Sequence, residues 1–153
     1  GRMRSVQAFR KSFAMTAGVD RARQIAEQSL QGQTKKTGGL VIEHVSRVAG
    51  SVSGETETTV AWLHDVLERA PDWSLARLRQ EGFAEEVIEA VDALTKRPGE
   101  DHADLVRRGA RNALARTVKR ADLADNLTEA ERTGRDGSKY RIGLEILDGR
   151  VDA

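Results

Sequence analysis

The sequence predicts an all-α protein that folds as a single domain of packed helices. Apolar residues recur at intervals of three and four along most of the chain, a spacing that places them on one face of a helix. Sustained alternation of apolar and polar residues, which is typical of strands, does not occur, and aromatic residues make up only 4% of the chain. A length of 153 residues is enough for one domain with a buried core.

The composition excludes several classes of protein and site. Cysteine is absent, so the chain has no disulfide, no thiolate nucleophile and no zinc–sulfur site. The net charge of +1 provides no general attraction to nucleic acids or anionic membranes. No apolar run approaches the roughly 20 residues of a membrane span, and no signal-type segment follows the N-terminus. We therefore expect a cytoplasmic protein without nucleic-acid or membrane partners, while its oligomeric state stays open.

The first 16 residues are basic and weakly patterned, and they contain both methionines, Met3 and Met15. They could be an expression remnant, an alternative start or a flexible arm. We therefore assign the folded domain to residues 17–153.

In the first half of this domain, the apolar pattern predicts helices over residues 19–31, 40–49 and 56–70. The segments TKKTGG and GSVSGE separate these helices, because glycine and small polar residues favour loops. Pro71 ends the third helix, since proline lacks a backbone N–H and disfavours a helical conformation in the residue before it.

In the second half, Asp72 or Ser74 is expected to cap a short helix that Gly82 closes. Further helices are predicted over residues 84–95, through Leu105 and Val106, and over the ranges 113–127 and 139–147. The segments RPGED and TGRDGS are the turns between them.

Four ionisable residues fall within helices that are otherwise apolar: His44, His64, Asp65 and Asp122. Burying such groups without partners is costly, and one divalent cation would satisfy all four. Two imidazoles and two carboxylates form a mixed donor set that suits manganese, iron or zinc. A cation held in this way leaves positions for water or a substrate oxygen, lowers the pKa of that water and polarises a phosphoryl oxygen.

Helical spacing adds two residues to this hypothesis. Glu68 follows His64 by four positions and Asp65 by three, so its side chain is expected on the same face, where it could orient water or act as a general base. Asn126 follows Asp122 by four positions and is expected to point into the same cavity as a ligand for water or substrate.

Each of these residues also has an ordinary structural explanation. A His–Asp dipeptide is commonplace, and His44 alone could be a core histidine with satisfied hydrogen bonds. Asp122 and Asp125 alone could be exposed helix charges, and Asn126 a polar residue near a helix end. The metal hypothesis therefore depends on the joint spacing and not on any single residue.

The joint spacing resembles that of a known family. From about residue 21 to residue 147, the segments GQTKKTGG, VIEHVSRVA, AWLHDVLE, GFAEEVIEAVDALTK and VKRADLADNL match, in order and separation, the HD-domain phosphohydrolases. Within that family the chain is most similar to the small alarmone hydrolases, which resemble the hydrolase half of RelA/SpoT enzymes. Those enzymes remove the 3′-pyrophosphate from (p)ppGpp.

The resemblance implies an HD-type helical bundle that holds one divalent metal ion, with Mn²⁺ favoured. The binuclear members of the superfamily need more histidines than the three in this chain. The implied metal ligands are His44, His64, Asp65 and Asp122. The resemblance also implies that Glu68 lies near the metal-bound water and that Asn126 lies at the wall of the active site.

The residues implied for substrate binding are Lys35 or Lys36, at a position where the family has basic residues near the nucleotide, and Tyr140, where aromatic residues shape the pocket. Each of the three has an alternative explanation. Loop lysines are commonly solvated, and Tyr140 could equally belong to the core.

The chain departs from the family pattern at several positions. Alarmone hydrolases have a second acidic residue after the one at Glu68, whereas this chain has Arg69. A guanidinium cannot accept a proton but pairs well with phosphate, although Arg69 could also be a solvated residue at a helix end. Val45 replaces a proline. His102 stands where the family often has tyrosine, and its polar surroundings predict an exposed side chain.

These departures leave three functions open. The first is a hydrolase of (p)ppGpp or a similar 3′-phosphorylated nucleotide. The second is another nucleotide phosphatase, of the nucleotidase or NADPH-phosphatase type. The third is a module that binds a nucleotide without hydrolysing it, because Arg69 interrupts the acidic pair.

Overall fold

The structure is a computed structural model that describes residues 17–150, and within that range the all-α prediction is confirmed. The helices are α1 (Val19–Ser29), α2 (Val41–Ser51), α3 (Glu55–Leu63), α4 (Val66–Arg69), α5 (Leu75–Gln80), α6 (Glu85–Leu94), α7 (His102–Ala110), α8 (Ala113–Arg132) and α9 (Ser138–Leu147). An isolated antiparallel bridge joins Thr34 to Leu40 in the loop before α2. The N-terminal arm predicted for residues 1–16 lies outside the described residues, as do residues 151–153.

The long helix α8 lies at the centre of the fold and packs against α2, α3, α6, α7 and α9. The main core is formed by the apolar faces of α1, α2, α3 and α6 together with the first half of α8. A smaller cluster of Val106, Leu123, Ile146 and Leu147 joins α7 and α9 to α8. No helix in residues 17–150 combines the length and the apolar character that crossing a membrane requires.

The apolar face predicted for α1 is buried, and most predicted helix ends agree with the structure to within two residues. Ser74, rather than Asp72, caps α5, because its hydroxyl accepts the backbone N–H of Arg77 at 3.1 Å. Gly82 has a φ of +95°, a conformation that glycine adopts without steric cost.

The structure differs from the sequence prediction at the helix that contains His64. One helix was predicted over residues 56–70, but α3 ends at Leu63 and a separate turn, α4, begins at Val66. In a continuous helix, the carbonyl of Ala61 would accept the N–H of Asp65. That carbonyl instead accepts Nδ1 of His64 at 2.6 Å and the backbone N–H of His64 at 3.4 Å. The histidine side chain therefore competes with the backbone and tightens the chain at His64 and Asp65.

Helix α8 is longer than predicted, since it continues past residue 127 to Arg132. Its polar second half is stabilised by contacts across the fold. Asp125 and Glu129 lie within 2.8 Å and 3.6 Å of the guanidinium of Arg47 on α2, and Ala130 is buried. The polar second half of α8 therefore does not mark a helix end but forms a helix face that pairs with Arg47.

The contact between α9 and α8 is tight at Gly143. A Cβ atom at this position would lie 2.9 and 3.1 Å from the terminal carbons of Leu123, which is fully buried. Overpacking in Gly143→Ala is expected to cost about 1–3 kcal/mol, of which the gain in helix propensity offsets up to about 1 kcal/mol. We therefore expect a net fall of up to about 2 kcal/mol in the free energy of unfolding, which urea denaturation measures.

Gly50 provides the matched control, because it lies on the exposed face of α2 and a Cβ there would have no atom within 4 Å. Gly50→Ala should stabilise the protein by about 0.5–1 kcal/mol. Equal stabilisation by the two substitutions would show that the α8–α9 contact is looser than described.

Candidate metal centre

The four residues predicted as metal ligands lie together at the junction of α2, the α3–α4 break and α8. Nε2 of His44 and Nε2 of His64 lie 2.9 Å and 3.3 Å from Oδ1 of Asp122. The same two nitrogens lie 3.9 Å and 3.5 Å from Oδ2 of Asp65. Both histidines and Asp122 are buried, and Asp65 is partly exposed.

The second nitrogen of each imidazole is occupied by a hydrogen-bond acceptor. Nδ1 of His44 lies 2.6 Å from Oδ2 of Asp125, and Nδ1 of His64 lies 2.6 Å from the carbonyl oxygen of Ala61. Because both partners can only accept, each Nδ1 must carry the hydrogen. In the neutral rings, the lone pairs therefore reside on the two Nε2 atoms, which face Asp122.

This arrangement is unfavourable by itself, because it places only hydrogen-bond acceptors together. Two imidazole lone pairs and an ionised carboxylate face one another in a buried region. A positive charge is needed between them, supplied either by protons on the imidazoles or by a metal ion. His44, His64 and Asp65 each offer a ligand atom within 4.8 Å of the others. The two nitrogen donors and one oxygen donor of this group suit manganese, iron or zinc, so it could hold a divalent cation, and Asp122 contacts both of its imidazoles.

Lys119 completes the surroundings of Asp122 and was not identified from the sequence. Its ammonium group lies 3.0 Å from Oδ2 of Asp122, and the whole residue is only 8% exposed. This contact occupies one carboxylate oxygen and leaves Oδ1 facing the two imidazoles. The available signal was the three-residue spacing on one helix, which brings side chains together.

The pKa values of the site reflect the crowded acceptors. Burial lowers the pKa of His64, but the carboxylates of Asp65 and Asp122 and the carbonyl of Ala61 together raise it to about 9. Burial also opposes the charged form of His44, yet hydrogen bonds to two carboxylates raise its pKa above the ordinary value. Without a metal, protons on the imidazoles therefore join Lys119 in balancing the charge of Asp122.

Asp125, which contacts Nδ1 of His44, is also kept ionised by its hydrogen-bond donors. Burial raises the pKa of Asp125, but hydrogen bonds from His44 and Arg47 outweigh this effect and lower it to about 2. Burial likewise disfavours the charged form of Asp122, whose pKa nevertheless falls well below the ordinary value beside Lys119 and the imidazoles.

The cluster forms the floor of a pocket of about 340 Å³. Cationic side chains are twice as frequent as carboxylates in its lining. The cations are Lys35, Lys36, Arg69, Lys96, Lys119 and Lys139. The carboxylates are Asp65, Glu68 and Asp122. The pocket therefore combines an acidic floor, suited to a metal ion, with a basic rim, suited to an anion.

The substrate residues predicted from the resemblance all line this pocket. Asn126 donates its amide to Oδ1 of Asp122 at 3.2 Å and accepts a hydrogen bond from the ammonium group of Lys35. Lys35 is half-buried, and this burial lowers its pKa despite the nearby carboxylates. Lys36 is exposed at the rim, and Tyr140 is partly buried in the wall.

Glu68 and Arg69 also line the pocket, and both side chains are exposed. Oε1 of Glu68 accepts the backbone N–H of Lys96 at 2.7 Å, which ties the end of α4 to the loop after α6. The sequence did not predict this anchoring contact. Arg69 also lines a neighbouring pocket beside Trp73, so this residue lies between two cavities.

His102 was predicted to be exposed, and this prediction was wrong. It is the first residue of α7, lines the pocket and is only partly exposed. Its Nε2 atom is buried without a hydrogen-bond partner among the described residues, and its ring lies edge-on to Tyr140 at 6.4 Å. Asp101 caps α7 by accepting the N–H of Asp104 at 2.8 Å, so the helix begins at His102.

Comparison with known proteins adds no family to this description. No protein-family model matches the chain, and no curated protein matches its sequence. The resemblance to HD-domain phosphohydrolases therefore remains a prediction from motif order.

If the four residues act as ligands, the protein loaded with Mn²⁺ and desalted should retain about one ion per chain. His64→Ala should abolish this occupancy, because loss of one ligand from a buried site leaves the others unsatisfied. Elemental analysis measures both. His102→Ala is the matched control and should retain the ion. Equal metal content in the His64→Ala and wild-type proteins would rule out the ligand set.

The raised pKa values predict how pH affects the metal-free protein. An unfolded histidine has a pKa near 6.5, whereas that of His64 is about 9 in the folded state. The folded state therefore binds more protons between these values, so the contribution to stability is complete below pH 6.5 and is lost as the pH rises through about 9. The slope should approach about 1.4 kcal/mol per pH unit for each titrating histidine.

Urea denaturation of the metal-free protein from pH 6 to 9.5 measures this slope. Saturating Zn²⁺ should flatten it, because the metal replaces the protons. A metal-free protein whose stability rises across this range would contradict the proposed crowding of acceptors.

Proposed function

We propose that the protein is a metal-dependent phosphohydrolase that acts on a nucleotide phosphate. The observation that carries the proposal is the combination in one pocket of two buried histidines, the buried Asp122 and the partly exposed Asp65 with six cationic side chains. The cluster suits a divalent cation, and the cations suit several phosphate charges. The net charge of the chain is only +1, so the basic rim is a local feature.

His44, His64, Asp65 and Asp122 would hold the metal ion. When bound, that ion would lower the pKa of a water molecule and polarise a phosphoryl oxygen. The basic rim would bind and orient the phosphates of the substrate. Lys35 would orient the amide of Asn126 toward the floor of the pocket, where water or substrate is expected.

Glu68 would take the proton from the attacking water. Its Oε1 atom is occupied by the N–H of Lys96, so Oε2 would serve as the base. Arg69 would contribute to phosphate binding at the rim. Its guanidinium cannot accept a proton, so Glu68 would act as a base without the acidic neighbour found in the family.

The resemblance favours (p)ppGpp as substrate, cleaved at its 3′-pyrophosphate, and Mn²⁺ as the metal. The pocket also suits other nucleotides, so a nucleotidase-like or NADPH-phosphatase activity is the nearest alternative. We place this activity in the cytoplasm, which agrees with the absence of cysteine but does not depend on it.

A module that binds a nucleotide without hydrolysing it is the second candidate. The observation that favours it is the anchoring contact of Glu68, since a carboxylate held by the backbone of Lys96 has a structural role independent of catalysis. In that case the basic rim would bind the nucleotide, and no proton would be removed from water.

Phosphate release from a panel of nucleotides in the presence of Mn²⁺ separates these candidates. The panel contains (p)ppGpp, 3′-phosphorylated nucleosides, 5′-nucleotides and NADPH. On the substrate that the wild type cleaves, Glu68→Gln should reduce turnover by about 10²–10⁴-fold, the usual contribution of a general base, with unchanged metal content.

Glu68→Ala is the companion variant, because glutamine can still accept the N–H of Lys96 whereas alanine cannot. Loss of turnover in both variants, with weakened nucleotide binding only in Glu68→Ala, is the expected pattern. Wild-type turnover in Glu68→Gln would exclude the role of Glu68 as a base. Nucleotide binding without phosphate release by the wild type would favour the second candidate.

A further inference from the structure

The Nδ1 atom of His44, on the side of the ring away from the metal cluster, contacts a carboxylate that also forms a salt bridge. Oδ2 of Asp125 lies 2.6 Å from Nδ1 of His44, on the side of the ring opposite Asp122. Arg47 donates Nε to Oδ1 of Asp125 at 2.8 Å and Nη2 to Oδ2 at 3.1 Å. His44 and Arg47 lie three residues apart on α2, and Asp125 reaches them from α8. These three side chains form a continuous chain from the metal cluster to the surface.

We propose that Asp125 is a positioning residue that sets the tautomer of His44 and thereby the affinity of the cluster for its metal, with Arg47 acting through Asp125. This inference rests on the metal site described under the proposed function. It adds two residues that lie outside the ligand set. Asp125 cannot bind the same ion, because it contacts the nitrogen on the far side of the imidazole.

The physical reason is a competition for one hydrogen. A neutral imidazole carries a single N–H, and only the nitrogen without it can bind a metal. Oδ1 of Asp122, 2.9 Å from Nε2, would attract the hydrogen to the metal-facing side of His44. Asp125 draws it to Nδ1 instead, which leaves the Nε2 lone pair directed into the cluster.

His64 shows the same arrangement with a different partner. Its Nδ1 hydrogen is accepted by the backbone carbonyl of Ala61, which no side-chain substitution removes. Of the two imidazoles, His44 is therefore the one whose tautomer depends on a side chain, and Asp125 is where the dependence can be tested.

Arg47 determines what an amide would do in place of Asp125. It donates to both carboxylate oxygens, and its shorter contact is with Oδ1, at 2.8 Å against 3.1 Å for Oδ2. In Asp125→Asn, keeping the shorter contact puts the amide oxygen at the Oδ1 position and the NH₂ at the Oδ2 position, where it faces Nδ1 of His44. A donor at Nδ1 forces the hydrogen of His44 onto Nε2, which removes the metal-binding lone pair. Without Arg47, the amide is free to turn its oxygen back to His44.

The test measures Zn²⁺ affinity by competition with a chromophoric chelator, together with the visible spectrum of the Co²⁺-loaded protein. Asp125→Asn should weaken Zn²⁺ binding by about 10–100-fold, the usual effect of losing an outer-shell partner. Arg47→Ala alone should weaken it less, because Asp125 still accepts from His44. The double variant Arg47→Ala with Asp125→Asn should bind Zn²⁺ more tightly than Asp125→Asn alone.

Glu81→Gln is the matched control. Glu81 accepts Nε and Nη2 of Arg21 at 2.9 Å and 2.7 Å, which is the same kind of paired contact, and neither residue lines the metal pocket. This variant should retain wild-type affinity. Circular dichroism establishes whether each variant is folded.

The outcomes separate this inference from the proposed function. A wild-type protein that binds no Zn²⁺, Co²⁺ or Mn²⁺ would overturn both. Wild-type binding with equal affinities in Asp125→Asn and Glu81→Gln would overturn only the role of Asp125. A double variant weaker than Asp125→Asn would indicate a merely structural role and also overturn the inference. If Asp125→Asn does not fold, Arg47→Ala decides, since wild-type affinity in that variant contradicts the proposal.

Discussion

Two imidazole nitrogens face one carboxylate oxygen at 2.9 Å and 3.3 Å in a buried part of the protein, and the other features of the site depend on this contact. All three atoms are acceptors, because the second nitrogen of each ring already donates its hydrogen elsewhere. Such a group is stable only around a positive charge. The same geometry therefore accounts for the raised pKa values of the histidines and for the fit to a divalent cation.

The packing of the helices makes this contact possible, because it brings distant parts of the chain together. The break between α3 and α4 turns Asp65 toward the cluster. It arises because the imidazole of His64 donates a hydrogen bond to a backbone carbonyl that a continuous helix would use. The length of α8 places Lys119, Asp122 and Asp125 on successive turns of one helix. Lys119 contacts Asp122 and Asp125 contacts His44, so one helix supplies a proposed ligand and two residues that contact proposed ligands.

The charges of the pocket are arranged in two layers. The carboxylates of Asp65 and Asp122 lie at the floor and that of Glu68 is exposed, while most of the cations lie at the rim in loops and at helix ends. Lys119 is the exception, since its ammonium group is buried against Asp122. The proposed hydrolysis of a phosphate ester depends on this pairing of a floor that suits a cation with a rim that suits an anion.

The all-α class, the buried faces and most helix ends were determined by the sequence itself, because apolar periodicity, caps and prolines act within a few residues. The joint spacing of His44, His64 and Asp122 also led to the cluster. Only the tertiary structure decided the break at His64, the inward position of His102 and the partners of Asp125 and Lys119. His44 meets Asp122 across 78 positions and Asp125 across 81, and the sequence pattern carries no measure of such distances. A charged residue on a helix has the same local pattern whether it faces water or a partner, and packing decides between them.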